Sequence, residues 1–280
     1  MKRHVLSQKS GKAAKGLCFG TTALALISLA GILLYVLIGG VGKLSFSLLF
    51  GNGEDGPTIL PALVGTLWLI VIALGIAVPL GIGSALFLTE YADCRSKWIQ
   101  GVRIATETLA GIPSIVYGLF GYLVFVVALK FGYSLLGGGI TLAIMVLPVI
   151  VRSTEECLLA VPQGLREASL ALGAGKVRTI FRVVLPSCAG GIVTAIILAA
   201  GRVLSESAVL ILTIGMVTNK MPAGVLSPGT SLALDIYYFA GHGYPDEAAA
   251  TGVVLMVFVL LINLGAGIIG KCIKRKTGEN

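Results

Sequence analysis

The stretch of residues 162–186, PQGLREASLALGAGKVRTIFRVVLP, is the longest polar interruption in a chain made mostly of apolar segments. Pro162 suits the first turn of a short helix, where a missing N–H costs nothing, and Glu167 suits the positive end of that helix. Gly173 and Gly175 are expected to end the helix in left-handed conformations. Three basic residues then precede the next apolar run: Lys176, Arg178 and Arg182. The pattern predicts a basic, amphipathic helical hairpin that lies outside a membrane between two spans.

The overall composition is that of an integral membrane protein. Hydrophobic residues make up 56% of the chain and charged residues 12%, and the mean hydropathy is +0.97. A transmembrane helix needs ~20 apolar residues to cross ~30 Å of hydrocarbon. Uncharged runs of about this length lie at 17–38, 58–89, 108–129, 131–151, 183–201 and 248–270. We therefore predict an all-α membrane protein with six transmembrane helices, the fifth of which continues past Arg202 to about Ile214.

Basic residues are concentrated on one side of these spans. That side contains the N-terminal tail (1–16), the loop with Arg95, Lys97 and Arg103, the stretch 162–186 and the C-terminal tail (271–280). The opposite side has only Lys43, Lys130 and Lys220. Because Lys and Arg are enriched in cytoplasmic loops, both termini and the stretch 162–186 are predicted to be cytoplasmic. The net charge of +8 thus reflects topology, and a nucleic-acid-binding protein, which needs a basic face on a soluble domain, is excluded.

Motifs within residues 58–270 resemble those of ABC-importer permeases. The polar stretch is similar to their EAA loop, with Glu167-Ala168-Ser169, then Gly173, then Val183-x-Leu185-Pro186. Ser169 stands for an Ala of that motif and Val183 for an Ile. The sequence GIPSIVYGL at 111–119 resembles a signature of phosphate-specific (Pst-type) permeases, and Glu90-Tyr91-Ala92 ends a span similar to their first core helix. The resemblance is nearest to the PstA-like subunits.

This resemblance implies a fold and an activity. The fold is that of a type I ABC importer permease (MetI-like), with a basic tail at 1–16, a first transmembrane helix at 17–38, the permease core at 58–270 and a second tail at 271–280. The chain would be a multi-pass protein of the bacterial inner membrane that imports inorganic phosphate by alternating access. It would itself bind no cofactor, since ATP-Mg belongs to a partner ATPase.

The resemblance also implies partners and contact residues. The partners are a PstC-like second permease, a homodimeric PstB-like cytoplasmic ATPase, a periplasmic PstS-like phosphate-binding protein and membrane lipid. The EAA loop is the coupling helix that docks on the ATPase, through Arg166, Glu167, Ala168, Ser169 and Gly173. On the other side of the membrane, residues 231–241 (SLALDIYYFAG) are predicted to form a short surface helix, where the binding protein would dock.

Polar residues inside the spans indicate a translocation path. Arg202 and Glu206 are four residues apart in an apolar run, on one helix face, where they could pair with each other beside Ser205. Charged side chains in a bilayer usually face a cavity or a partner, and the planar guanidinium of Arg suits phosphate oxygens. Further predicted lining residues are Ser114 and Tyr117 of the third span and Arg152 at the end of the fourth.

Each of these residues also has a structural interpretation. Arg202 and Glu206 could be an ion pair that fixes helix packing. The sequence Gly111-Ile-Pro113 could simply bend a helix, with Ser114 and Tyr117 beside the bend. Arg152 could pair with Glu155 or Glu156 at a solvated helix end. The sequence of these sites leaves both interpretations open.

Other functions receive less support from the sequence. No G-x-x-x-x-G-K-[ST] motif, H-E-x-x-H motif, C-x-x-C motif or Ser/His/Asp arrangement occurs, so the chain is predicted to be neither an ATPase nor another enzyme, with no metal site. A permease for another oxyanion, such as molybdate or sulfate, remains the main alternative, because arginine binds these anions by the same chemistry. An ion channel or a scaffold without an ATPase is disfavoured by the EAA-type loop.

Overall fold

The computed structural model describes residues 2–51, 56–92 and 96–277, and Arg95, used above for the topology, lies outside these ranges, as do 278–280 of the C-terminal tail. Within them the chain is helical, without strands. The helices are α1 (Lys2–Val41), α2 (Phe46–Phe50), α3 (Leu60–Leu86), α4 (Lys97–Ala110), α5 (Ser114–Gly121), α6 (Leu135–Ala160), α7 (Gln163–Ala171), α8 (Lys176–Thr179), α9 (Leu185–Ser187), α10 (Ala189–Leu204), α11 (Ala208–Thr213), α12 (Leu232–Gly241) and α13 (Pro245–Thr277). Wider π-helical turns extend three of them, at Phe87–Tyr91, Tyr122–Ala128 and Ile180–Val184.

Four helices of the described chain are long and apolar enough to cross a membrane. They lie at Ala14–Val41, Leu60–Tyr91, Leu135–Ala160 and Pro245–Ile268. Two bent pairs of helices raise the number to six if each pair is one span. The first pair bends by 102° between Ala110 and Ser114, and the second by 66° between Ser187 and Ala189. The predicted bend at Gly111-Ile-Pro113 is therefore present, because Pro113 cannot continue the ladder of α4.

The fifth span differs from its prediction. Its helix α10 ends at Leu204 and does not run on to Ile214; a separate short helix, α11, begins at Ala208. The Ser205 hydroxyl donates to the carbonyl oxygen of Gly201 at 2.9 Å, while a Glu206 carboxylate oxygen accepts from the N–H of Val209 at 3.3 Å. Such local side-chain bonds compete with a continuous helix. The helix is thus interrupted where the charged residues lie.

The centre of the molecule is the packing of α3 against α6. Leu69, Ala73 and Ala77 of α3 are buried there together with Leu142 and Ile150 of α6. A Cβ added to Gly81 would lie 2.6 Å from the Ile150 side chain, so this glycine allows the two helices to approach closely. Small residues have this role in membranes, where packing rather than water exclusion holds helices together.

Helix α12 packs against α13 and α3. The predicted helix exists, and its first turn is capped by Ser231, whose hydroxyl accepts from the N–H of Leu234 at 3.2 Å. The helix was predicted to lie at the surface, and Tyr237 and Ala240 are exposed, while its other side is buried at Leu232, Leu234, Asp235 and Phe239. The apolar members of this set, Leu232, Leu234 and Phe239, are thus buried in a helix that packs against α3 and α13.

Candidate functional site

Arg202 lies in the last turn of α10, half-buried, and it does not pair with Glu206. Ending α10 at Leu204 removes the i, i+4 geometry that the sequence suggested, and a Glu206 carboxylate oxygen instead accepts from the N–H of Val209 in the first turn of α11. In the described part of the chain, the Arg202 side chain forms no hydrogen bond or ion pair. The interpretation of these two residues as a structural ion pair was therefore wrong, and the guanidinium is open to another acceptor. Ser205 is exposed next to it.

Tyr117 brings the third span close to Arg202. Its ring is 5% exposed, and its phenol lies within electrostatic range of the Arg202 guanidinium. The phenol donates to the carbonyl oxygen of Leu109 at 2.8 Å, which joins α5 to the end of α4 across the bend. Ser114, the first residue of α5, is half-buried just after Pro113. Two residues predicted to line a path, Tyr117 and Arg202, thus lie within electrostatic range of each other.

Arg152 belongs to a separate charged cluster at the C-terminal end of α6. Its Nη1 lies 2.5 Å from Oε1 of Glu107 on α4, and its Nε lies 3.1 Å from Oε1 of Glu156. The predicted i, i+4 pair is present, whereas Glu155 pairs with Arg103 of α4 at 2.7 Å instead. These side chains line a cavity of about 300 Å³. Sequence reasoning missed the α4 partners, because no spacing along the chain indicates that α4 folds against α6.

The coupling loop consists of α7, α8 and the turn between them. Glu167 and Ala168 are exposed, and the hydroxyls of Ser169 and Thr179 lie 2.9 Å apart, which holds the two helices together. Gly173 ends α7 with φ +82°, as predicted. Gly175 does not, because it is extended (φ −71°, ψ 161°) and precedes α8. The predicted hairpin is therefore confirmed, with one left-handed glycine rather than two.

Arg166 of this loop points towards its own chain. Its guanidinium bonds to Glu90 at the end of the π-helical turn after α3, and to two carbonyl oxygens at the end of α6. A second cavity, of about 250 Å³, opens between α7 and α8, and its lining includes Arg178 and Arg182. Both are exposed. The outward face of the loop is therefore basic and apolar, with Leu172 89% exposed at its tip.

The described residues were also compared with the ligand sets of metal sites. Among the described residues, no three side chains of His, Cys, Asp or Glu come together in a way that could hold one. The Arg202 region offers a half-buried guanidinium, with the Tyr117 phenol within electrostatic range and the exposed Ser205 three residues further along the chain. Such a group favours oxyanions.

Comparison with known proteins gives consistent results. A family model described as "Binding-protein-dependent transport system inner membrane component" matches residues 77–279. The chain is 36% identical over 95% of its length to "Probable ABC transporter permease protein YqgI" of Bacillus subtilis, of which it covers 95%. It is 34% identical over 90% of its length to "Phosphate transport system permease protein PstA" of Pasteurella multocida, covering 91% of that protein.

A solved structure confirms the fold. The crystal structure of a bacterial alginate ABC transporter, in complex with an alginate pentasaccharide-bound periplasmic protein, contains a chain that matches this one with a TM-score of 0.69. The match covers 95% of this chain and 96% of that one at 16% sequence identity. The helical arrangement, the EAA-type loop and these similarities agree: the chain is a multi-pass membrane protein and belongs to the inner-membrane permease family of binding-protein-dependent (ABC) transport systems.

Proposed function

We propose that this chain is the PstA-like permease subunit of an ATP-driven importer of inorganic phosphate. The observation that supports phosphate as the substrate is the environment of Arg202. Its guanidinium is half-buried, has no bonding partner in the described chain and lies within electrostatic range of Tyr117. A charge left unpaired at this depth is costly unless a ligand or cavity water compensates it. The 34% identity to a phosphate permease over nine-tenths of both chains supports phosphate as that ligand.

The proposed complex contains partners on both sides of a bacterial inner membrane. Both termini and the coupling loop would face the cytoplasm, as the distribution of Lys and Arg favours. A second, PstC-like permease would complete the path, and two PstB-like ATPase chains would bind and hydrolyse ATP-Mg beneath it. A PstS-like protein would deliver phosphate from outside. Docking of the ATPase on the basic, apolar outward face of α7 and α8 would turn ATP binding into motion of the spans.

Transport would then proceed by alternating access. Phosphate released from the binding protein would enter an outward-open cavity, where Arg202 attracts its oxygens. The Ser205 hydroxyl, whose proton goes to Gly201, could accept a hydrogen bond from a protonated phosphate oxygen. After hydrolysis the path would open inwards near the charged cluster of Arg152, Glu107 and Glu156. The residues of this chain bind and orient the anion, and they break no bond in it.

Uptake of radiolabelled phosphate tests this function. Cells that lack the chain should lose most high-affinity uptake and regain it when the chain is restored, and an excess of unlabelled sulfate or molybdate should not compete. Restored uptake that another oxyanion abolishes would move the assignment to that anion. If uptake does not return although the chain reaches the membrane, phosphate import is wrong.

A further inference from the structure

Glu90 and Arg166 form a largely buried ion pair between two parts of the chain that are far apart in sequence. The Arg166 Nη2 and Nε atoms lie 3.0 and 3.2 Å from Oε1 of Glu90. The two side chains are 17% and 11% exposed. Glu90 lies in the π-helical turn that ends the α3 span, and Arg166 lies in α7. The pair therefore joins a central span directly to the coupling loop.

Arg166 also holds the end of a second span. Its Nη1 donates to the carbonyl oxygen of Val161 at 2.7 Å, and its Nη2 donates to that of Leu158 at 2.8 Å. The last carbonyls of a helix lack partners within the helix and carry its negative dipole end, so a cation there is favourable. One guanidinium thus connects the ends of α3 and α6 with α7, using the several donors that only Arg presents in one plane.

A second cation attaches the other half of the loop to the same turn. Lys176, the first residue of α8, donates from Nζ to the carbonyl oxygen of Glu90. The same ammonium lies 4.6 Å from the ring centroid of Tyr91, within the range of a cation–π interaction. Glu90, Tyr91, Arg166 and Lys176 are called the Glu90 cluster below. Through it, both α7 and α8 are bound to the end of α3.

Burial distinguishes the Glu90–Arg166 pair of this cluster from an ordinary surface ion pair. Lys43 and Asp246, which pair at 2.6 Å, have side chains 49% and 60% exposed. Exposed pairs contribute little, whereas removing one partner of a buried pair leaves an uncompensated charge. The Glu90 cluster therefore keeps one geometry, and a displacement of α7 cannot leave α3 and α6 behind without breaking it.

We propose that the Glu90 cluster makes the coupling loop and the α3–α6 pair move as one body, so that Glu90, Arg166 and Lys176 are positioning residues for energy coupling. This inference rests on the proposed function, in which an ATPase displaces α7 and α8. It differs from docking, because these contacts lie within the chain and would act after the ATPase has bound. Loss of the cluster should leave ATP hydrolysis in place and separate it from transport.

The first test is the number of phosphate ions imported per ATP hydrolysed by the complete transporter in proteoliposomes. Glu90→Gln keeps the shape of the side chain and an acceptor oxygen, and it removes the charge. We expect this ratio to fall about tenfold, the factor expected for a charge-assisted hydrogen bond, while ATP hydrolysis stays within about twofold of wild type. Lys176→Gln, at an exposed position that tolerates substitution, should lower the ratio in the same direction.

Matched controls come from the exposed ion pair. Asp246→Asn removes a negative charge, as Glu90→Gln does, and Lys43→Gln removes a positive charge, as Lys176→Gln does. Both control variants should leave the ratio of phosphate imported to ATP hydrolysed unchanged. An unchanged ratio in both Glu90→Gln and Lys176→Gln would overturn the proposal. So would a parallel fall of hydrolysis and import in proportion to the amount of chain in the membrane, because that result indicates a purely structural role.

A second measurement does not depend on the substrate. Nitroxide labels at Phe87→Cys and Leu172→Cys, two positions that are 56% and 89% exposed, would report the distance between the end of α3 and the tip of the loop. The native cysteines are replaced by alanine in this experiment. We expect a narrow distance distribution that Glu90→Gln broadens and Asp246→Asn does not. If wild type imports no phosphate, the proposed function fails, but the distance distribution still tests the inference. Equal distribution widths in wild type and Glu90→Gln would overturn it.

Discussion

The Tyr117 hydroxyl donates to the carbonyl oxygen of Leu109 at 2.8 Å and so spans the break between α4 and α5. These two helices meet at 102°. A carbonyl near the end of α4 lacks a partner within that helix, and a buried phenol needs an acceptor. The bend at Gly111-Ile-Pro113 is therefore held by a tertiary bond as well as by Pro113.

Tyr117→Phe removes this bond and keeps the ring. We expect the free energy of unfolding in detergent to fall by about 1 kcal/mol, the net contribution of a neutral hydrogen bond, and phosphate uptake to fall because the bend positions α5 beside Arg202. Tyr122→Phe, in the following π-helical turn, is the control. Equal melting temperatures for the two variants would show that the hydroxyl of Tyr117 does not stabilise the bend.

Arg202→Gln should reduce phosphate uptake by about tenfold to a hundredfold, the factor expected for one lost charge-assisted hydrogen bond. Arg202→Lys should retain part of the activity, since it keeps the charge and loses the planar donors. Initial uptake rates at equal amounts of membrane-inserted chain measure this effect, with Lys97→Gln at an exposed position as the control. Full uptake by Arg202→Gln would remove Arg202 from the path.

Gly65→Ala should destabilise the permease. The added Cβ would lie 2.0 Å from the carbonyl oxygen of Thr230, so α3 and the segment before α12 would have to separate. Overpacking of this kind costs about 1–3 kcal/mol. Gly75→Ala, about three turns further along α3, meets nothing within 4 Å and should be neutral or slightly stabilising. Thermal unfolding of the two variants in the same detergent compares them, and a stable Gly65→Ala protein would contradict this contact.

Asp235 should make the protein less stable as the pH rises. It lies in α12, which is too short to be a span, and burial raises the pKa of its carboxyl from 3.8 to about 8, against a smaller opposite effect of the hydrogen bond from Thr230. Its second oxygen, Oδ2, is buried without a hydrogen bond. Between these two pKa values the folded state keeps a proton that the unfolded state has released. Stability is therefore greatest below the lower pKa and is lost as the pH rises to about 8.

Asp235→Asn cannot titrate and should lack this dependence. From about pH 5 to about pH 8, the melting temperature of wild type should fall relative to this variant by about 5 °C or more. Asp246→Asn, at the exposed ion pair, should follow wild type over the same range. If the difference in melting temperature between wild type and Asp235→Asn stays constant over this pH range, the carboxyl ionises in the folded protein as easily as in the unfolded chain.

Gly173→Ala should weaken coupling to the ATPase. Gly173 has φ +82°, a conformation that costs an L-residue about 1–2 kcal/mol, so alanine would strain the turn between α7 and α8. Gly175 has φ −71° and ψ 161°, which alanine adopts freely, and Gly175→Ala is the matched control. ATP hydrolysis by the assembled transporter should fall in the first variant only. If ATP hydrolysis falls in Gly175→Ala and not in Gly173→Ala, Gly173 is not the strained position.

Local pattern predicted much of this architecture from the sequence. Apolar runs located the spans, because crossing a bilayer demands some twenty apolar residues in succession. Gly111-Ile-Pro113 predicted the bend, since proline removes a backbone donor, and the spacing of Glu167, Gly173 and Leu185-Pro186 predicted the coupling hairpin. Each of these signals lies within one continuous stretch of the chain, and each can therefore be recognised from the sequence alone.

Contacts between distant segments were decided only by the tertiary structure. Arg166 reaches Glu90 across 76 positions, and Arg152 reaches Glu107 across 45. No periodicity encodes such a pairing, because it depends on how α3, α4 and α6 pack. The sequence also allowed Arg202 and Glu206 to pair, and the end of α10 at Leu204 separated them. The sequence by itself thus determined which segments are helical and apolar. Packing determined which charged side chains pair with each other, and it leaves Arg202 without a partner among the residues that the structure describes.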